Sequence, residues 1–380
     1  MSASTPPRGE GPWFQVGQDS VRLLRDGVEA FPAMLQAIAA AKSEVLLEMY
    51  WVGADACGGL FRDVLADKAR AGVPVRVIYD AVGSLNITPE WWSPLVDAGG
   101  EVHVYHPLSP LRSDFRWKVV EARDHRKMLI VDGELGFTGG INLSAERLPI
   151  DEGGEGWRDD MIAVRGPTAE ELRSLFYRTH RSVTGEKTPS DVRPIPSEPT
   201  RPVWVLATRT LPRRRVHREY LVRIKAAKER IDIANSYFIP DQAVRRALFR
   251  AVDRGVKVRV LLPEKGDVPV VHYAVEASFE SLLGHGVELY SLPGPMLHAK
   301  TAIVDDVFAT IGSYNLDERS WRKNLEVNIA VEDAAFARHL RKWFDSDVAR
   351  ARRVDLTTWR ARPLGQVAVE WVALALRKFW

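Results

Sequence analysis

One polar pattern occurs twice in this chain, and it constrains the fold more than any other feature. "HRKMLIVD" at 125–132 and "HAKTAIVD" at 298–305 each place a Lys two residues after a His and an Asp five residues after that. Each is followed by an apolar stretch and an Asn. The sets are His125, Lys127, Asp132 and Asn142, then His298, Lys300, Asp305 and Asn315, a constant 173 positions apart. A period this long marks a duplicated domain, because solenoid repeats are far shorter.

The flanking segments repeat in the same order. In the first half "AMLQAIAAAKS" reads as a helix before the strand "EVLLEMYWV", and "GLFRDVLADKARAG" as a helix before "VPVRVIYD". "WWSPLVDAGG" then precedes "EVHVYHP". The second half answers with "YLVRIKAAKE" before "RIDIANSYF", "QAVRRALFRAVDRG" before "VKVRVLLP", and "YAVEASFESLLGHG" before "VELYSLP". Strands alternating with helices predict an α/β protein of two similar domains, each a mostly parallel mixed sheet flanked by helices. The Pro-, Ser- and Thr-rich stretch 184–202 reads as a linker. It separates a first domain (15–183) from a second (203–352), and 353–380 remains as a C-terminal tail.

Composition excludes little. Of 380 residues, 46% are hydrophobic and 27% charged, and the net charge is +3, as in an ordinary soluble protein with room for an anionic partner. A single cysteine, Cys57, precludes an internal disulfide and fits a reducing compartment. "MSASTPPRGEGPW" lacks the charged and apolar regions of a signal peptide, and no run approaches ~18 apolar residues. A cytoplasmic protein is expected.

On a strand, a His and a Lys two apart share a face. That face can line a cleft while Met128 and Ile130, or Thr301 and Ile303, pack on the other. Asp132 precedes Gly133 and Asp305 precedes Asp306, so both aspartates fall where a hairpin turn belongs. A turn role or a structural ion pair competes with a catalytic one for them.

The paired motifs suit attack on a phosphodiester. A neutral imidazole is a nucleophile, two lysines can offset the charge of the non-bridging oxygens, and two asparagines can donate hydrogen bonds. A second imidazole can protonate the leaving oxygen and then deprotonate an incoming alcohol. Each half therefore supplies half of one active site. A carboxylate should support each imidazole. Asp159 and Glu326 are the candidates, since both shortly precede an Ile-Ala-Val triplet; Asp160 competes with Asp159. The remaining histidines, among them His103, His106 and His180, lack a duplicated setting and read as surface or satisfied polar residues. No Cys/His spacing suggests zinc and no P-loop is present, so no metal or cofactor is expected.

These residues resemble the phospholipase D superfamily, whose signature is the duplicated H-x-K-x(4)-D motif. "RDHRKMLIVDGELGFTGGINLS", "GWRDD", "HAKTAIVDD" and "IGSYNLDERS" are similar to its bacterial cardiolipin synthase branch, in the form without N-terminal membrane helices. The resemblance implies two phospholipase D-like domains related by a pseudo-twofold axis, a covalent phosphohistidine, and no metal in the chemical step. It implies His125 as nucleophile and acidic residues that support histidines across the pseudo-twofold, although the residues themselves do not choose between His125 and His298. It further implies joining of two phosphatidylglycerols into cardiolipin with release of glycerol, at the inner face of a bacterial membrane.

A hydrolytic phospholipase D and a nuclease of the same superfamily are the alternatives. The modest charge speaks against nucleic acid as partner, and both half-sites in one chain make a competent monomer. The tail segment "GQVAVEWVALALRKFW" (365–380) is apolar, rich in Trp and preceded by arginines. It suits either a helix lying on an anionic membrane or one packed on the protein. Residues 110–124, basic and aromatic, could form a rim over the cleft.

Overall fold

The computed structural model describes residues 11–108, 121–196, 199–208 and 216–376. Residues 110–120 of the expected rim and 377–380 of the tail lie outside the described residues.

The first half builds an eight-stranded sheet from β1 (Trp13–Val16), β2 (Asp19–Arg25), β3 (Val45–Met49), β4 (Val75–Asp80), β5 (Glu101–Tyr105), β6 (Lys127–Val131), β7 (Leu135–Gly139) and β8 (Asp160–Arg165). The second builds another from β9 (Val203–Ala207), β10 (Arg230–Asn235), β11 (Lys257–Pro263), β12 (Glu288–Leu292), β13 (Lys300–Val304), β14 (Phe308–Gly312), β15 (Val327–Glu332) and β16 (Arg352–Arg353). Their orders are β1-β2-β8-β7-β6-β3-β4-β5 and β9-β15-β14-β13-β10-β11-β12-β16. Without β1 and β16 the order of equivalent strands is the same.

The sheets are mixed and flanked by helices, as expected, but parallel pairing is confined to β3-β4-β5 and β10-β11-β12. Every other strand pair is antiparallel, which corrects the expectation of mostly parallel sheets. The reason is local. Parallel neighbours need a crossover such as the helix Ala56–Arg70 between β3 and β4. The chain after Val131 instead turns at once, with Glu134 N–H donating to Val131 C=O. Asp132 and Gly133 both have positive φ, as do Asp305 and Asp306 in the equivalent turn. Two successive residues of this kind make the tight turn whose twist suits an antiparallel hairpin, and Asp tolerates that conformation better than most side chains.

Three apolar clusters hold the layers together. Phe31, Met34, Ile38 and Phe61 pack helices on the outer face of the first sheet, and Tyr220, Ile224, Val244 and Leu248 do so on the second. The third cluster joins the halves: Leu46, Ile130 and Ile162 of one sheet share it with Val205, Ile303 and Ile329 of the other. Helices Pro167–Thr184 and Ala334–Arg350 contribute to this central layer through Phe176 and Phe344.

Candidate active site

The two motifs meet because short backbone pairings stitch the halves to each other. His125 N–H donates to Leu325 C=O (2.9 Å), and His298 N–H to Arg158 C=O (2.7 Å). Asp124 pairs with Leu325, and Arg158 with Leu297, as parallel bridges. Each histidine is thus held beside the residue that precedes an acid of the opposite half. His125 Nδ1 lies 3.0 Å from Glu326 Oε2, and His298 Nδ1 lies 2.7 Å from Asp159 Oδ2. Both imidazole–carboxylate pairs cross between halves. With Nδ1 committed to the carboxylate, Nε2 is the nitrogen left for a substrate.

Lys127 and Lys300 begin β6 and β13 and are fully buried. Lys127 Nζ donates to His125 C=O (2.6 Å) and sits 4.9 Å from the Tyr50 ring centre. Lys300 Nζ donates to His298 C=O and to Ser236 Oγ (2.8 Å). The hairpins return the chain to the end of the sheets where Lys127 and Lys300 begin their strands, and Asn142 and Asn315 follow β7 and β14 there. Asn315 Oδ1 accepts from Ser236 Oγ (3.0 Å), while buried Asn142 Oδ1 makes no hydrogen bond.

Burial and the crowd of cations set the electrostatics. Burial lowers the His125 pKa, Glu326 opposes that, and Lys127 and Lys300 reinforce it. His298 falls well below its ordinary value through burial and the nearby charges of Lys300, Arg147 and Lys127. Burial takes Lys300 down to about 7 despite Asp159, and Lys127 also falls well below the usual lysine range. Both shifts favour the neutral imidazole in the resting site. An anionic group that entered would be surrounded by positive charge and would restore the protons.

Asp132 and Asp305 are not part of this set: of the catalytic and turn roles open to them, the structure shows the turn, which corrects their grouping with the catalytic residues. They lie past the far ends of β6 and β13, where the positive-φ turns hold them. Asp132 Oδ1 accepts from the N–H groups of Ser43 (2.7 Å) and Glu44 (3.0 Å), and Asp305 Oδ1 from those of Glu229 (2.8 Å) and Arg230 (3.0 Å). The motif's aspartates tie a loop to the hairpin, and a strand's length separates them from the imidazoles.

Asp160, the competitor of Asp159, is bound instead to the Arg158 guanidinium at 2.6 Å. Sequence reasoning missed Arg147. It is 1% exposed, its guanidinium makes no hydrogen bond, and it lies 3.5 Å from Asp159 Oδ2 and over the Trp157 ring at 4.1 Å. The signal was present, since an Arg follows shortly after each motif Asn (Arg147 and Arg319). Ser236 and Ser313 were also missed. Ser313 Oγ donates to Glu326 Oε2, but the equivalent position in the first half is Gly140, so no repeat pointed to it.

Residues 34–178 and 220–348 match the family described as cardiolipin synthase, PLD-like domain. The chain belongs to that branch of the phospholipase D superfamily. It is an enzyme, a phosphatidyltransferase. It is 32% identical over 340 residues to the probable cardiolipin synthase YwiE of Bacillus subtilis, covering 89% of this chain and 67% of that one. It is 34% identical over 374 residues to a cardiolipin synthase of Geobacillus thermodenitrificans, covering 96% and 74%. In fold, a crystal structure of phosphatidylserine synthase from Haemophilus influenzae aligns with a TM-score of 0.73 at 13% identity, over 98% of this chain and 96% of that one.

Proposed function

We propose that this chain makes cardiolipin by transferring a phosphatidyl group between two phosphatidylglycerol molecules through a phosphohistidine. The observation that carries the reading is the reciprocal pairing of His125 with Glu326 and His298 with Asp159 across the halves. It leaves two Nε2 atoms in one site, backed by Lys127, Lys300 and Arg147. His125 is the nucleophile, in keeping with the resemblance. Glu326 sustains its basicity, and a more basic imidazole attacks phosphorus faster. His298, whose proton burial and then the surrounding cations make acidic, is the stronger acid once the anionic diester has restored that proton.

The His125 Nε2–P bond forms as the P–O bond to glycerol breaks, and His298 gives its proton to the leaving glycerol oxygen. The neutral His298 then takes a proton from a hydroxyl of the second phosphatidylglycerol. That oxygen attacks phosphorus, the P–N bond breaks, and cardiolipin leaves. Lys127, Lys300 and Arg147 offset charge on the non-bridging oxygens, with Asn142 and Asn315 as further donors. One chain holds both half-sites, so a monomer is competent.

The enzyme reaches its lipid from the membrane surface. Among the described residues no helix is long and apolar enough to cross a bilayer. The helix Leu364–Ala375 is docked on the second half through buried Ala373 and partly buried Leu374, which join that half's apolar cluster, while buried Glu370 Oε2 accepts from Arg362 of the tail itself (2.9 Å). Leu364, Val369, Trp371 and Val372 remain exposed on its other side. The two alternatives for the tail therefore combine: one face packs, and the other suits the headgroup region of the inner leaflet. Thin-layer chromatography of lipids from a cardiolipin-deficient bacterium expressing the chain tests the reading. Cardiolipin should return with the wild type and not with His125→Ala or His298→Ala. Accumulation of phosphatidic acid alone would assign hydrolysis instead.

A further inference from the structure

Two histidines outside the active site contradict the expectation that they are ordinary satisfied residues. Glu101 and His103 are two apart on β5 and so share a face, and His180 in the last turn of helix Pro167–Thr184 meets them. The three side chains offer ligand atoms within 4.8 Å of one another. Glu101 Oε2 lies 3.8 Å from His103 Nε2 and 3.7 Å from His180 Nε2, and the imidazole rings stand edge to face at 5.2 Å. The His180 side chain is only 4% exposed, yet its Nε2 makes no hydrogen bond, and neither does Nε2 of His103. A buried polar atom without a partner costs about 1–3 kcal/mol, so two such atoms turned to one carboxylate call for an occupant.

We propose that Glu101, His103 and His180 form a Zn²⁺ site that clamps β5 to the helix Pro167–Thr184. Two imidazoles and a carboxylate are a zinc ligand set, and imidazole nitrogens disfavour Mg²⁺ and Ca²⁺. Bonds of ~2.0–2.1 Å around a tetrahedral ion place ligand atoms roughly 3.3 Å apart, so each imidazole closes on the carboxylate with a shift of about half an ångström, and the two ligand nitrogens, within 4.8 Å of each other, draw together around the ion. Arg76, whose Nε donates to Glu101 Oε2 at 3.1 Å, acts as the outer partner that orients the carboxylate. His103 keeps 28% of its side chain exposed, which leaves the fourth position open to water. No residue of the phosphate site takes part.

The whole chain, stripped of metal and titrated with ZnCl₂ in a calorimeter, should bind one equivalent and show a raised melting temperature. MgCl₂ should give neither effect. His103→Ala and His180→Ala should each weaken binding ~10-fold or more and abolish the thermal shift. His103→Ala, at a partly exposed position, serves if His180→Ala does not fold. The variant with both His125→Ala and His298→Ala should still bind zinc. The site is refuted if no zinc binds, if binding survives the changes at 103 and 180, or if binding is lost with the changes at 125 and 298.

Discussion

The two halves present the same His, Lys and Asn but support them differently. In the second half the acid is a glutamate, and Ser313, Asn324 (3.4 Å) and a Glu326 N–H bond to Thr208 Oγ1 (2.8 Å) hold it in place. In the first half it is an aspartate, one methylene shorter, with Gly140 where the other half has Ser313. A Cβ on Gly140 would lie 2.0 Å from Asp159 Oδ1, so the space a serine would fill is occupied by the acid itself. Arg147 then takes the place of the hydroxyl as the acid's neighbour. A duplicated motif can thus keep its reacting atoms matched while its supports diverge, and burial with the charges of Lys300, Arg147 and Lys127 pushes His298 further down than His125, whose fall Glu326 opposes.

The largest expected effect would remove the distinction altogether. His125→Ala and His298→Ala should each lower phosphatidyl transfer by on the order of 10⁴-fold or more, with the double variant no worse than either single one, because the pair acts as a unit. Radiolabelled transfer assays measure this, and a single variant that kept a few per cent of activity would separate the two roles from the two residues.

The supports come next. Gly140→Ala must push Asp159 away from His298, whereas Ser313→Ala removes one hydrogen bond to Glu326. We expect losses in kcat of about 100-fold and about 10-fold respectively. Equal effects would mean that the halves are supported alike after all.

Lys300 sharpens the contrast through pH. Its pKa of about 7 in the folded chain means that its charge, and with it the attraction for a phosphodiester, is lost as pH rises through that value. kcat/KM should fall on this limb, and Lys300→Arg, which keeps its charge, should move the limb upward. The sign for stability is the opposite. Unfolded lysine binds its proton up to ~10.4, so from about 7 to ~10.4 the folded state gains stability relative to Lys300→Met as pH rises. Thermal melts across that range check it.

The smallest effects should fall on the outlying parts. Asp132→Asn and Asp305→Asn should each cost about 1–2 kcal/mol in denaturant unfolding, through weakened acceptance of backbone N–H groups, while leaving kcat within about twofold. Trp371→Ser should reduce binding to anionic vesicles several-fold without changing the melting temperature, because that side chain is 60% exposed. Among the described residues the first half carries no equivalent of this helix.

Much of this was legible from residue order. The constant offset between motifs revealed the duplication, the two-residue spacing of His and Lys marked a polar face, and the Ile-Ala-Val triplets pointed to Asp159 and Glu326. Sheet direction was misjudged because alternating helix and strand segments signal parallel pairing, whereas two turns of positive φ, at Asp132-Gly133 and Asp305-Asp306, reverse the chain and make most pairings antiparallel. Those turns also claimed the motif's aspartates, which spacing alone had grouped with the catalytic residues.

The sequence by itself determined that there are two halves, which residue types each contributes, and where β3–β6 and β10–β13 lie to within a few positions, because these follow from local periodicity and repetition. Which acid serves which histidine was implied only by the family resemblance, not by residue order, and the tertiary structure shows the crossed pairs. That choice depends on the Asp124–Leu325 and Arg158–Leu297 bridges, contacts between segments far apart in the chain that no local pattern encodes. The same holds for Arg147 and for the trio Glu101, His103 and His180. Burial left the Arg147 guanidinium and His180 Nε2, ordinary in sequence, without a hydrogen-bond partner.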